Sequence, residues 1–317
     1  MPLYLDNETV QSLVSPAEAT DVIDQLFQDE AKGQVQNKPT TELDIPGGFF
    51  RLKAGVTQGF NSYGFKAYGG VKRPSRYIVF VYSLETGYLD GIVEAFKLTE
   101  IRTGAVSAAG MRHMARADAH SLGIIGSGRE ARQQLTAIAT ERKLSGVKVY
   151  SRSAEKREGY AAEMTAKLGI PVTAVDTAEA AVRDVDMLVT ITGANEPVMS
   201  GAWLSPGTFI CAVGATTPNR RELDEEAVAR CGTIVVEHLP QASTECGELL
   251  AAAKAGLLDW AKVLELKDVA SGKTPGRRSA GEINLFDTIG TGAEDIAVAS
   301  FALRKAKQQG LGKPLDF

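Results

Sequence analysis

Between Ser121 and Glu237 short apolar runs alternate with stretches of helical period, and this rhythm restricts the fold more than any other feature of the 317-residue chain. The order is SLGIIG, a helix over about 128–143, VKVYS, a helix over about 154–168, PVTAV, a short helix, DMLVTIT, then GTFICAVG and TIVVE. Strands that take turns with helices are joined by crossovers rather than hairpins. They therefore build a parallel, doubly wound α/β sheet with helices on its faces.

The residues before this region read differently. Ala19, Val22, Ile23, Leu26 and Phe27 recur on one face of a helix over 15–32. From Gly47 to Glu94 glycines divide short alternating runs, which predicts antiparallel strands with a hairpin turn at Glu85-Thr86-Gly87. A helix over about 97–116 leads out. After Gln241 the sequence predicts a helical stretch to about Ala255 and a polar surface loop, ASGKTPGRRSAGE. A last helix over about 293–308 follows, which periodicity alone assigns to no domain. The length fits two domains, and 44% hydrophobic with 23% charged residues fits a folded chain. A net charge of −4 offers no field for nucleic acid. No run reaches the roughly 18 apolar residues of a membrane span. The opening MPLYLDNETVQSL lacks the order of a signal peptide, so a cytoplasmic protein is expected. Cys211, Cys231 and Cys246 form no CxxC pair, and His113, His120 and His238 have no zinc-site spacing; neither disulfide nor metal is expected.

The sharpest local motif is Gly126-Ser127-Gly128-Arg129-Glu130-Ala131, a G-x-G-x-x-A turn flanked by strand and helix. Gly126 permits the tight turn, Gly128 lets backbone approach a pyrophosphate at the helix N-terminus, and Ala131 allows close helix-to-strand packing. Such a turn can also join strand to helix without a ligand, but its context favours a dinucleotide. The acid that would accept a bond from an NAD ribose, about 20 residues on, is missing. Ser151, Arg152, Ser153 and Lys156 stand there instead. Hydroxyls and a guanidinium suit a 2′-phosphate, which favours NADP (as NADPH) and leaves NAD possible; Arg157 reads as a solvated helix face. In an open parallel sheet the ligand lies beyond the carboxyl ends of the strands. That brings in Thr192 and Gly193 after the fourth strand, and Val213, Gly214, Ala215 and Thr216 after the fifth.

On the helix over 97–116, Arg102 has Leu98, Ala105, Val106 and Ala109 as its neighbours. A guanidinium in such surroundings needs an anionic partner, either an internal Glu or Asp or the carboxylate of a ligand, which its fork matches bidentately. Lys66, between glycines in YGFKAYGG, points either into a cleft or to solvent. Arg51 and Lys53 share one strand face by the period of two.

Four segments together carry a resemblance: LTEIRTGA from Leu98, the GSGREA turn, VGATTPNRRELD from Val213, and FDTIGTGAED from Phe286. In these the chain resembles the ornithine cyclodeaminase/mu-crystallin family. The resemblance implies a Rossmann-type domain over 116–292 and a second α+β domain over 1–115 plus 293–317, which binds substrate and pairs through its sheet into a homodimer. It places Lys66 and Arg102 at the substrate, Arg102 on an α-carboxylate, and Thr103, Arg220 and Thr288 at the cofactor. Two departures stand out. Thr216 occupies the position of the aspartate that serves cyclodeaminases as acid or base, and it cannot ionise near neutral pH. The chain also reads Lys38-Pro39-Thr40-Thr41 where the family has an arginine soon after the proline, so Arg51 or Lys53 is expected to supply the second hold on the substrate carboxylate. The expected function is an NAD(P)H-dependent oxidoreductase that reduces a small α-imino acid, or works in reverse as an amino-acid dehydrogenase. The alternatives are a cyclodeaminase using bound NAD and a non-catalytic, mu-crystallin-type binding protein.

Overall fold

Glycine spacing and strand alternation resolve into two sheets in the computed structural model, which describes residues 1–71 and 76–316. The chain opens with β1 (Leu3–Leu5), α1 (Asn7–Leu13), α2 (Pro16–Ala31), β2 (Val35–Asn37), β3 (Thr41–Ile45) and β4 (Gly48–Thr57). Next come β5 (Ser62–Val71), β6 (Arg76–Ser83), β7 (Leu89–Glu94) and α3 (Ala95–Met114). The alternating region holds β8 (Ser121–Ile125), α4 (Arg129–Glu141), β9 (Gly146–Tyr150), α5 (Ala154–Leu168), β10 (Val172–Ala174), α6 (Ala178–Val182), β11 (Met187–Thr190) and β12 (Phe209–Ala212). It continues with α7 (Glu225–Ala229), β13 (Thr233–Val236), α8 (Leu239–Glu245), α9 (Gly247–Lys254), β14 (Leu264–Glu265), α10 (Leu266–Ala270) and β15 (Asn284–Asp287). The last elements are α11 (Gly292–Gln309) and β16 (Lys313–Pro314).

Two compact units emerge, 1–105 with 290–317, and 106–289, so the division falls within α3 and just before α11. The sequence expectation put these boundaries at 115/116 and 292/293. Among the described residues no helix is long and apolar enough to cross a membrane.

In the first unit the strands run in the order β16-β1-β7-β6-β5-β4-β2, with β3 on β4. The expected antiparallel strands are β4 to β7. The three-residue runs of β1 and β2 are too short to show a period, and β1 joins the sheet by pairing parallel with β7 and antiparallel with β16. One sheet face carries Val79, Val81 and Val93, all fully buried. Helix α11 lies on that face, where the Ser300 hydroxyl meets that of Ser62 at 2.8 Å. The opposite face presents Tyr63 stacked on Tyr82 and Phe65 stacked on Phe80, with centroids 5.3 and 5.0 Å apart, and these rings stay half-exposed. Helix α2 is defined by its start: the Ser15 hydroxyl accepts from the Glu18 amide, the Glu18 carboxylate accepts from the Ser15 amide, and Pro16 opens the helix.

The second unit is an all-parallel sheet of order β10-β9-β8-β11-β12-β15-β13-β14. Its chain order reverses between β8 and β11, the switch point of a doubly wound Rossmann-type sheet. The single helical stretch expected after Gln241 is broken at Cys246, which is extended (φ −77°, ψ 99°) and ends α8 as α9 begins. The break lets Gly247 pack directly on the Arg220 carbonyl, an approach that leaves no room for a side chain.

Helix α11 comes closest to the sheet through two glycines. A Cβ on Gly55 would lie 2.7 Å from the Ala293 amide nitrogen, and one on Gly292 would lie 2.6 Å from the Ala54 carbonyl. Backbone cannot yield as a flexible side chain does, so Gly292→Ala should lower unfolding stability by about 1–3 kcal/mol, the range for overpacking. Urea denaturation checks this: a lower midpoint at an unchanged slope is expected, and a wild-type midpoint would show that the helix has room to move.

Candidate functional site

Because every strand of the second unit runs the same way, the loops after β8, β9, β11, β12 and β15 share one edge of the sheet. These loops carry the residues the sequence points to. Gly126 has φ +125°, donates its amide to the Tyr150 carbonyl at 2.8 Å, and sits so close to Ile191 that a Cβ would come within 3.0 Å of its carbonyl carbon. Only glycine satisfies both demands. Gly128 is the N-cap of α4 and supplies no capping side chain; a Cβ there would meet nothing within 4 Å. The open space over that backbone and over the first amides of α4, with Arg129 and Glu130 exposed around it, fits an incoming phosphate. Ala131 is fully buried and its carbonyl accepts from the Tyr160 hydroxyl at 2.9 Å.

At the end of β9 the Ser151 hydroxyl accepts from Ser127 at 2.8 Å, and Ser153 caps α5 by accepting from the Lys156 amide. Arg152 and Lys156 are exposed. Arg157, expected on a solvated face, instead donates to the Ser151 carbonyl at 3.2 Å and to Asp176 at 2.7 Å, because α5 starts close beside the strand end.

Two carboxylates that the sequence analysis passed over hold the remaining loops. Glu222 is fully buried and accepts the Thr192 amide at 2.5 Å on one oxygen and the Gly214 amide at 2.7 Å on the other. One side chain thus clamps the loops after β11 and β12, and its own amide donates to Glu248 at 3.1 Å. Burial pushes its carboxyl upward against the pull of these donors. Glu237 does the same for the loop after β15, accepting the Thr288 hydroxyl and, at 2.9 Å, the Ile289 amide. Gly193 stays exposed, Thr216 half-buried, and Val213 and Ala215 buried. Arg220 is exposed, on the turn whose amide it returns to the Thr217 carbonyl.

The first unit assembles a second site. Lys53 and Lys66 are direct cross-strand partners on β4 and β5, and they are 5% and 2% exposed. Like charges so placed repel, and burial makes each more costly. Compensation comes from α11. Asp295 takes the Lys66 ammonium at 2.7 Å on one oxygen and the Arg102 Nε at 3.0 Å on the other, while Arg102 Nη1 reaches Glu294 at 3.2 Å. Lys53 donates to the Gly290 carbonyl at 2.8 Å. Gly290 has φ +71°, and a Cβ on it would fall 2.8 Å from Arg102 Nη2, so the guanidinium lies against bare backbone. Burial, then the charges of Arg102 and Lys53, bring Lys66 down from its usual value to about 7 in spite of Asp295. Burial acts to raise Asp295, but Lys66, Arg102 and Lys53 outweigh it and hold the carboxyl low. A lysine poised near neutrality beside a fixed carboxylate can give or take a proton.

Lys53, Lys66 and Arg102 are therefore brought together, and the internal partner weighed for Arg102 is real. Arg51 stands apart: it pairs with Glu42, donates to the Tyr68 hydroxyl and lies over the Phe49 ring at 5.0 Å. Thr103 faces its own helix, donating to the Thr99 carbonyl at 2.7 Å. Glu294 and Asp295 belong to the segment that carried the family resemblance, yet nothing in local period marks them as counter-ions.

The model of the ornithine cyclodeaminase/mu-crystallin family matches residues 2–310. A Δ1-pyrroline-2-carboxylate reductase of Bacillus cereus is 34% identical over 289 residues, covering 89% of this chain and 86% of its own. The solved Δ1-pyrroline-2-carboxylate reductase of Thermococcus litoralis, in complex with NADH and L-proline, is 28% identical with a TM-score of 0.94, over 99% of this chain and 100% of that one. An archaeal alanine dehydrogenase dimer with bound NAD is 30% identical with a TM-score of 0.93, over 100% and 99% of the two chains. With the family match running over nearly its whole length, the chain belongs to the ornithine cyclodeaminase/mu-crystallin family.

Proposed function

We propose that the protein is an NAD(P)H-dependent oxidoreductase that reduces a small α-imino acid to the amino acid, with the unit over 106–289 binding the dinucleotide and the other unit binding substrate. The observation that carries this reading is the buried set Lys53, Lys66, Arg102, Glu294 and Asp295, in which a guanidinium and two lysines stand together with two carboxylates, surroundings that suit a substrate carboxylate. Arg102, braced by Asp295 and Glu294, presents its guanidinium edge to that carboxylate. The arriving anion favours the charged form of Lys66, so substrate binding itself loads the proton. Lys66 then gives that proton to the imine nitrogen as the carbon accepts a hydride, and Asp295 stabilises the ammonium until transfer. A bound nicotinamide dinucleotide supplies the hydride. Thr216 has no ionisable group for expelling ammonia, which sets the chain apart from the cyclodeaminase route. Relatives that reduce a pyrroline carboxylate, or carry the name alanine dehydrogenase, support the same substrate class. Three free cysteines suit a reducing cytoplasm.

The test follows dinucleotide absorbance with Δ1-pyrroline-2-carboxylate and with pyruvate plus ammonia. Protonated Lys66 is the donor in reduction, so kcat/KM for the imine should fall as pH rises through about 7, while oxidation of the amine, which needs neutral Lys66, should rise through the same range. Lys66→Met should lower kcat about 100-fold or more, the scale of a lost acid–base group. Wild-type rates from Lys66→Met would remove the lysine from the reaction.

The exposed Arg152 and the missing acid after β9 support NADPH as the preferred cofactor. Arg152→Ala should weaken NADPH by about 1.5–3 kcal/mol, as for a charge-assisted hydrogen bond, and leave NADH nearly unaltered. Calorimetric titration decides, and tighter wild-type binding of NADH than of NADPH would refute the preference.

The half-exposed face with Tyr63, Phe65, Phe80 and Tyr82 continues into the exposed Leu43, Phe50 and Val71, an apolar surface of the kind a partner covers. It supports a homodimer formed through this sheet. Phe80→Glu, which sets a charge in the middle of the face, should shift the mass in solution from dimer to monomer; light scattering that finds a wild-type monomer would overturn the assignment.

A further inference from the structure

Beside the Lys66 ammonium, on the same sheet face, stands a row of aromatic rings. Phe49 on β4, Tyr68 on β5 and Tyr77 on β6 follow one another across the strands, and Phe96 at the start of α3 extends the row. Lys66 Nζ lies 5.3 Å from the centroid of Tyr68. Tyr68 and Tyr77 stack at 5.3 Å and 8°, Phe49 meets Tyr68 edge-on at 6.3 Å, and Phe96 meets Tyr77 edge-on at 6.2 Å. The Tyr68 hydroxyl accepts from Arg51, which is itself paired with Glu42. Stacking on one side and a charge-assisted bond at the tip hold this ring in one orientation, so it is a preformed wall rather than an adaptable side chain.

We propose that Tyr68 determines specificity, selecting imino acids whose side chain is hydrocarbon, cyclic or aliphatic, over those that carry a second carboxylate. This rests on the reading above, in which Lys66 serves the imine nitrogen. If the ammonium lies against the Tyr68 ring, the substrate atoms next to the imine lie within reach of that ring as well. An aromatic face is electron-rich: it favours a cation such as Lys66 or a protonated imine, buries CH2 groups well, and repels a carboxylate. Among the described residues of this row, the other cation beside Tyr68 is Arg51, and its charge is answered by Glu42. Arg102 and Lys53, held by Glu294, Asp295 and the Gly290 carbonyl, serve the one carboxylate every substrate of this class has. The wall therefore reads the remainder of the molecule.

The test measures binding of L-proline, L-alanine and L-aspartate by calorimetry to protein saturated with oxidised dinucleotide, alongside kcat/KM for Δ1-pyrroline-2-carboxylate and for oxaloacetate plus ammonia. Wild-type protein should bind proline at least tenfold more tightly than aspartate, a comparison that needs no variant. In Tyr68→Ala the ratio of proline to alanine affinity should fall about tenfold, the scale of lost contact with a few methylenes. Tyr68→Phe, which keeps the ring and loses the hydroxyl, should restore most of that ratio. Equal wild-type affinity for proline and aspartate, or a Tyr68→Ala loss shared equally by proline and alanine, would overturn the assignment of Tyr68 while leaving the reductase reading intact. If none of the three amino acids binds, the α-carboxylate site itself is refuted, and the role of Tyr68 falls with it.

Discussion

The carboxylate of Asp295 is the contact on which the first unit depends. Fully buried, it divides its two oxygens between the Lys66 ammonium and the Arg102 guanidinium. Without it, two lysines placed opposite one another and an arginine would be desolvated together, an arrangement that mutual repulsion and burial both oppose. Its position in the first turn of α11 adds the favourable end of the helix dipole, as does that of Glu294, whose second oxygen accepts from the Thr291 hydroxyl at 3.0 Å. The glycine contacts of Gly55 and Gly292 carry that helix start down to the strands where the lysines sit. Packing and electrostatics are therefore one problem here: the close approach of α11 exists only with glycine, and that approach brings Asp295 to Lys66 and Arg102.

The second unit applies the same device differently. Glu222 and Glu237 are buried acids that touch main-chain amides rather than cations, and each stiffens loops that would otherwise end their strands freely. Asp287 lies among them and is pushed up to about 8, by burial first and then by the charges of Glu237 and Glu222, so it stays largely neutral near pH 7. Carboxylates on amides order the backbone without adding positive charge to the edge. What remains open there is the glycine backbone at Gly128, which carries no side chain to compete with a phosphate.

Arg51, which the family resemblance offered with Lys53 as the second hold on the substrate carboxylate, is turned to Glu42 and Tyr68 by the register of β3, β4 and β5, which sets Glu42 and Tyr68 directly opposite it on either side. Register, not residue type, removed it from the cluster that Lys53, two residues along the same face, joins.

Much of this was legible in the amino acids themselves. The alternation after Ser121 could only be a parallel sheet, because its connections are helices, and the G-x-G-x-x-A turn identifies which strand end is left open, because glycine alone tolerates φ +125° at Gly126. The apolar neighbours of Arg102 announced a buried guanidinium that needs an anionic partner, internal or bound. Which acid, however, lay 193 residues away on the last helix, and no local pattern reports a contact of that range. The same holds for Glu222, which sits between Arg221 and Leu223 with no local sign of its role, and for the short strands β1, which pairs with the edge of β7, and β16, which pairs in turn with β1. Local period and backbone sterics act within a few residues, so they fix the elements, the glycine turn and the need for an anionic partner. The identity of that counter-ion, the neutral-range lysine and the ring beside it were decided by tertiary structure, since burial and Coulomb interaction depend on distance in space and not along the chain.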